Sequence, residues 1–260
     1  MDKKFTGMAV NGEGGGLVLV QAERTGLKWA VKKMAASGLD GGFREAVREA
    51  AGPSGIRPDA ISLSIPDTLA KTAILDFESL PAKTSEADRV IRWKAASTMY
   101  LRPEECAIDY QLLSTGERVK VLAIAVKREI ITGYEDALTG AGFTVRRVGI
   151  HSLNILNLFS EYIKGVEDFS FITCEGGRFS VLIFKGGALD FYRAKDITGR
   201  EQELGRELAA SFTFYLSAHK NVHMDRVYFL SGDTGLGEFL ADAAGTEAER
   251  LKPETVLTVE

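Results

Sequence analysis

Apolar and polar positions alternate with a period of two through "FTGMAV", "GLVLVQAE" and "LKWAVKKM", which predicts three strands joined by the turn Gly12-Glu13-Gly14-Gly15 and a second, polar turn. The period then lengthens. Phe43, Val47, Ala50 and Ala51 are spaced for one buried helix face, after which "AISLSIP" returns to strand spacing. The same order recurs from Phe171. "FITCEGGRFSVLIFKGGALDFYRAKDI" reads as a second three-strand meander with Cys174-Glu175-Gly176-Gly177 at its first turn; Leu204, Leu208, Ser211, Phe212 and Tyr215 mark a helix, and "RVYFLSG" a strand. Glycine takes positive φ without steric cost, so hairpin chemistry alone would explain the glycines. The repeated order of four elements goes further and predicts two related α/β lobes packed side by side.

A segment between the copies has its own pattern. "TAILDFESL" predicts a strand, and Ser85 with Asp88 a capping pair that opens a helix through "EADRVIRWKAASTMYL". Strands follow at "AIDYQLLS" and "VKVLAIAV", then a helix over "EIITGYEDALTGAG" ended by Gly140 and Gly142, and a strand at "TVRRVGI". The order β-α-β-β-α-β predicts a compact subdomain. "SLNILNLFSEYI" is apolar around much of its circumference, as expected of a helix buried between layers. The expected organisation is a first lobe over 1–66 and 149–165, an inserted subdomain over 67–148, and a second lobe over 166–260.

Composition narrows the functional classes. A chain of 260 residues with 45% hydrophobic and 26% charged residues is ordinary globular material, large enough to build its core without disulfide or metal staples. A net charge of -4 offers no basic surface for nucleic acid. Cys106 and Cys174 are the only cysteines and no cleavable leader is read before Phe5, which together predict a cytoplasmic setting. Apolar runs such as "VKVLAIAV" are too short to cross a bilayer, so any membrane association is expected through a partner.

Longer stretches carry a resemblance. "VIRWKAASTMYLRPEECAIDYQLL", "VLAIAVKREIITGYEDALTGAGFTVRRVGIHSLNILNLF" and "SFTFYLSAHKNVHMDRVYFLSGDTGLGEFL" resemble the PilM family of type IV pilus assembly proteins over nearly the whole chain. That family has an actin-like fold related to FtsA, built from duplicated ribonuclease H-like lobes; the cytoplasmic part of the type II secretion protein GspL has a similar plan. The resemblance implies a cytoplasmic scaffold, peripheral to the inner membrane. It would bind the N-terminal peptide of a PilN-like membrane protein and connect to pilus motor components. Many relatives also hold ATP between the lobes.

In such a cleft aspartates in both glycine hairpins hold Mg²⁺ against the phosphates while backbone N–H groups cradle the oxygens. Set against the family pattern, Gly7-Met8-Ala9-Val10-Asn11 puts Ala9 at the first aspartate, with Asn11 and Gly12 leading into the turn. The second aspartate falls at Cys174, ahead of Glu175 and Gly176; a shift of one residue puts Thr173 there instead. Glu13 or Glu175 could substitute only from a neighbouring position, and one residue along a strand is the other face. Gly232-Asp233-Thr234-Gly235 stands where the family approaches the adenosine, but reads first as a strand-to-helix turn capped by Asp233 or Thr234. Only "TGREQEL" links Ile197 to the next helix, where relatives carry a wall of the cleft. The expectation is a pseudo-ATPase without cofactor or metal, the alternatives being an active actin-like ATPase or a GspL-like secretion component.

Other groupings add little. His219 and His223 stand four apart without a third ligand, and His151 heads the buried helix as a capping or packing residue. Neither a G-x-S-x-G nor a phosphate-loop motif is present. Arg92, Trp93 and Tyr100 combine charge and aromatic surface on one helix, which makes them candidates for partner binding, or for packing on the inserted sheet with the cations in solvent. Relatives hold the partner peptide in a groove between the first lobe and the insert, flanking this helix.

Overall fold

The computed structural model describes residues 4–10, 16–26, 28–56, 60–115, 118–219 and 223–259. The first meander forms as read. Strands β1 (Lys4–Val10), β2 (Gly16–Thr25) and β3 (Lys28–Gly38) pair antiparallel, with Gly7 opposite Val20 and Leu19 opposite Ala35. Helix α1 (Phe43–Ser54) buries Ala46, Val47 and Ala50, and β4 (Ala60–Ile65) runs parallel to β1. In β4 the alternation is strict: Ile61, Leu63 and Ile65 are buried while the residues between them are half-buried.

The insert is smaller than the sequence suggested. Strand β5 (Ala70–Phe77), helix α2 (Thr84–Thr98), β6 (Cys106–Thr115) and β7 (Val119–Lys127) make a three-stranded antiparallel sheet in the order β5-β7-β6 with one helix on it. Ile91, Ala95 and Met99 pack on Leu75, Val121 and Ala123. The next two elements, α3 (Arg128–Gly140) and β8 (Thr144–Ile150), belong to the first lobe, which corrects the boundary at 148. Strand β8 hydrogen-bonds in parallel to β4, and α3 lays Ile130, Tyr134 and Leu138 against α1, with the Tyr134 and Phe43 rings edge-on at 4.6 Å. Both contacts join segments distant in sequence, which local spacing does not reveal. The expected Ser85–Asp88 cap is corrected as well: α2 begins at Thr84 without a side-chain cap, and Asp88 instead accepts a hydrogen bond from Arg92 Nε at 2.9 Å.

Helix α4 (His151–Phe159) passes between the lobes, as its all-round apolar surface demands. The second lobe then repeats the first: β9 (Phe169–Glu175), β10 (Arg178–Lys185), β11 (Ala188–Asp196), α5 (Leu204–Ala218), β12 (Arg226–Ser231), α6 (Leu236–Ala244) and β13 (Ala248–Arg250). Its sheet order is β11-β10-β9-β12-β13, matching β3-β2-β1-β4-β8, so the duplication runs through seven elements rather than four. A last strand, β14 (Leu257–Val259), returns to the first sheet and pairs parallel to β3.

Helices α2 and α3 end in the same backbone motif. In α3, Phe143 N–H donates to Leu138 O and Gly142 N–H to Thr139 O, with Gly142 at φ 87. In α2, Leu101 donates to Ala96 O and Tyr100 to Ser97 O, but the left-handed position is held by a tyrosine at φ 53.

Candidate functional site

The cleft opens where the carboxyl ends of β4 and β9 face each other, the usual place for ligands in open α/β sheets. A pocket of about 40 Å³ at its floor is lined by Val10, Asp67 and Thr68 from the first lobe, Thr173, Glu175 and Arg178 from the second, and His151 between them. A groove of about 820 Å³ continues over the second lobe past the Gly176-Gly177 turn, Glu201, Gly232, Asp233 and the segment Arg250–Glu254. Gly177 has φ +65, and a Cβ there would meet the Thr198 backbone at 2.8 Å, so this tight turn requires glycine.

The floor is closed by a buried polar junction. Helix α4 has no local cap, and Asp67, which follows β4, supplies one from another segment: its carboxylate accepts hydrogen bonds from Ser152 N–H at 3.1 and 3.2 Å. The same carboxylate accepts from Ser152 Oγ at 2.5 Å and from the Tyr192 hydroxyl of β11. Ser152 is 0% exposed and Asp67 7%. Burial, followed by the adjacent Asp67 charge, pushes the Tyr192 hydroxyl far above its ordinary range and keeps it a donor. Sequence reading missed this group; a turn "IPDTL" gives no sign that its aspartate will meet a helix start 85 residues on.

His151, the first residue of α4, lies 3.3 Å from Ser64 Oγ through Nδ1 and 3.7 Å from Glu175 through Nε2. It therefore touches both lobes.

The sequence-marked positions separate into three groups. Asn11 and Gly12 lie outside the described residues. Ala9 is half-buried in β1 between Val18 and Ser64, and brings no carboxylate. On β9 the alternation puts Thr173 and Glu175 into the floor pocket, whereas Cys174 packs on the second-lobe core with Ile172 and Phe179 and reaches only the wider groove beyond. Burial, with a smaller contribution from Asp233, pushes the Cys174 thiol up to about 12.

Gly176, Gly232 and Asp233 line the groove. Asp233 Oδ1 accepts from Gly235 N–H at 2.8 Å, an Asx-type turn leading into α6, and Thr234 sits in the same turn. Glu201 is likewise engaged by Gly199 N–H at 2.8 Å. Among the described residues no three His, Cys, Asp or Glu converge on a common point. Helix α5 ends at Ala218, so His219 and His223 do not share a helical face; His219 lies 3.4 Å from Asp190 and His223 3.9 Å from Asp225.

Arg92, Trp93 and Tyr100 lie on the insert, away from the cleft. Arg92 is held inside its own subdomain: besides Asp88 it donates to the Ile108 carbonyl of edge strand β6, and its guanidinium lies 5.6 Å from the Tyr110 ring centre. Trp93 is 71% exposed and Tyr100 93%. The aromatic half of the sequence grouping is therefore free surface, and Arg92 is its support.

No family model and no curated protein sequence matches the chain. Solved structures do. A structure of a PilM-PilN type IV pilus biogenesis complex matches 98% of this chain and 90% of its own with TM-score 0.81 and 18% identity. The cytoplasmic domain of EpsL, an inner-membrane component of the type II secretion system of Vibrio cholerae, matches 99% and 86% with TM-score 0.58 and 14% identity. A Bacteroides thetaiotaomicron protein of unknown function described as having an actin-like ATPase fold matches 98% and 92% with TM-score 0.60 and 8% identity. Two duplicated lobes about a shared cleft, matched end to end by these structures, give this chain the α/β actin-like fold.

Proposed function

We propose that this chain is a PilM-like scaffold of type IV pilus assembly that binds the N-terminal peptide of a PilN-like inner-membrane protein. The observation that carries the reading is the near-complete superposition on a PilM-PilN complex, well above that on the secretion-system domain. Docking beside the insert is supported by Trp93 and Tyr100, which leave large aromatic surface in solvent. Among the described residues no helix is long and apolar enough to cross a membrane. In this reading the protein works in the cytoplasm and meets the inner membrane through this partner. Motor components of the pilus are its further contacts.

In the same reading the cleft is architecture without Mg-ATP turnover. Ala9 offers no metal ligand, Cys174 packs on the core as a neutral thiol, and Asp67 already accepts from three donors within the protein. A magnesium triphosphate does not fit that set. Titration calorimetry with a PilN-like N-terminal peptide tests the partner half: saturable binding weakened by Trp93→Ala is expected, and absence of binding overturns it.

One observation favours a second reading. Glu175 faces the cleft, so an active ATPase could place magnesium there. A micromolar, magnesium-dependent ATP signal lost in Glu175→Gln would establish that alternative.

A further inference from the structure

The insert touches the second lobe as well as the first. Its sheet faces α2 on one side; on the other Leu122, with Ile74, Leu113 and Ile124, enters a core shared with Leu182 and Leu189 of the second lobe and Phe159 of α4. At this contact β11 is irregular. Ile183 pairs with Phe191 and Phe184 with Leu189, so Asp190 is the extra residue of a β-bulge, a device that re-aims a side chain.

The Asp190 side chain is 9% exposed. Its carboxylate accepts from Lys120 Nζ of β7 and from the Tyr215 hydroxyl of α5 at 2.9 Å, and His219 Nε2 lies 3.4 Å away. Burial alone would raise the carboxyl; the hydrogen bonds from Lys120 and Tyr215 outweigh it and hold the group below the usual carboxylate range. Two residues along the same strand, Tyr192 donates to Asp67. One strand of the second lobe is therefore gripped twice, by the insert at Asp190 and by the first lobe at Tyr192. A hinge motion about α4 would have to slide Leu122 and Lys120 over β11 and leave the Asp190 charge buried without its partner, and packed interfaces do not deform continuously.

We propose that the insert is a brace across both lobes, with the Asp190 bulge as its catch, so that the lobes keep one relative orientation whatever occupies the cleft. The proposal rests on the fold and is independent of the partner reading. It is tested on the full chain by electron–electron distance measurement between spin labels at Arg48→Cys on α1 and Asp242→Cys on α6, both exposed, while Cys106 and Cys174 are buried. A single narrow distance is expected, unchanged by Mg-ATP. Lys120→Met and Asp190→Asn should each broaden or split it, whereas Lys195→Met, which removes a 2.8 Å ion pair to Glu207 within the second lobe, should not. The wild-type distance persisting in both catch variants would overturn the proposal. Should those variants not fold, hydrogen exchange on the wild type decides: β7 and β11 amides opening as one unit support the brace, and independent opening of β7 refutes it.

Discussion

Replacing Asp67 by alanine probes the junction on which both lobes close. The carboxylate receives Ser152 N–H, Ser152 Oγ and the Tyr192 hydroxyl, all in buried surroundings. Losing a helix N-cap costs about 0.5–2 kcal/mol. A hydrogen bond to a charged acceptor is worth about 1.5–3 kcal/mol net, and a buried donor left without a partner forfeits a comparable amount. These terms overlap, because Ser152 contributes to both, so Asp67→Ala should destabilise the protein by about 3–5 kcal/mol. Asp67→Asn keeps one acceptor oxygen but turns an amide N–H toward existing donors, for about 1–3 kcal/mol. Ser152→Ala should cost less than either aspartate change, and the double variant Asp67→Ala/Ser152→Ala less than the sum of its parts. Urea unfolding followed by circular dichroism measures each value. An Asp67→Ala loss below about 1 kcal/mol, or strict additivity with Ser152→Ala, would refute the claim that this carboxylate caps α4 and ties it to β11.

Tyr100→Gly should raise the urea midpoint, because it relieves a left-handed residue at a cost of about 1–2 kcal/mol while the ring, 93% exposed, gives up no packing; an unchanged or lower midpoint counts against the strain. Gly177→Ala should destabilise by more than about 1 kcal/mol in the same assay, since the added Cβ meets the Thr198 backbone at 2.8 Å. Tyr192 and Tyr215 are both raised above the ordinary 10.0, chiefly by burial, so their stabilisation is complete below that pH and is lost as pH rises toward their folded values. Each such group steepens the loss of stability above roughly pH 10 by up to about 1.4 kcal/mol per pH unit, and Tyr192→Phe should remove its own share of that slope. Cys174, buried with its thiol pushed up to about 12, should resist an aromatic disulfide reagent at pH 8 until the protein is unfolded; rapid modification of the native chain would contradict its core placement.

Much of the fold was legible because its signals are local. Period-two runs and glycine turns gave both meanders, the spacing of Leu204, Leu208, Phe212 and Tyr215 gave α5, and the all-round apolar character of α4 gave its burial. The partnership of β8 with β4 and of α3 with α1 was not legible, since parallel pairing joins segments about 80 residues apart and leaves no mark on either strand alone. At the site, the glycine hairpin was visible, yet which of Thr173 and Cys174 enters the floor pocket depends on register. A one-residue offset in matching exchanges the two faces. Arg92 read as a recognition residue because sequence shows charge and aromaticity together; that its guanidinium is occupied by Asp88 and the Ile108 carbonyl is a tertiary fact.

Strand β14 joins Leu257 to Trp29, so the outermost row of the first sheet is filled by a strand that is synthesised only after the second lobe. Until then the flank of β3 presents unpaired N–H and C=O groups to any passing extended chain. The first lobe thus waits, open along one side, until the second lobe has been made, and in that interval a nascent chain can pair with a neighbour instead of with itself.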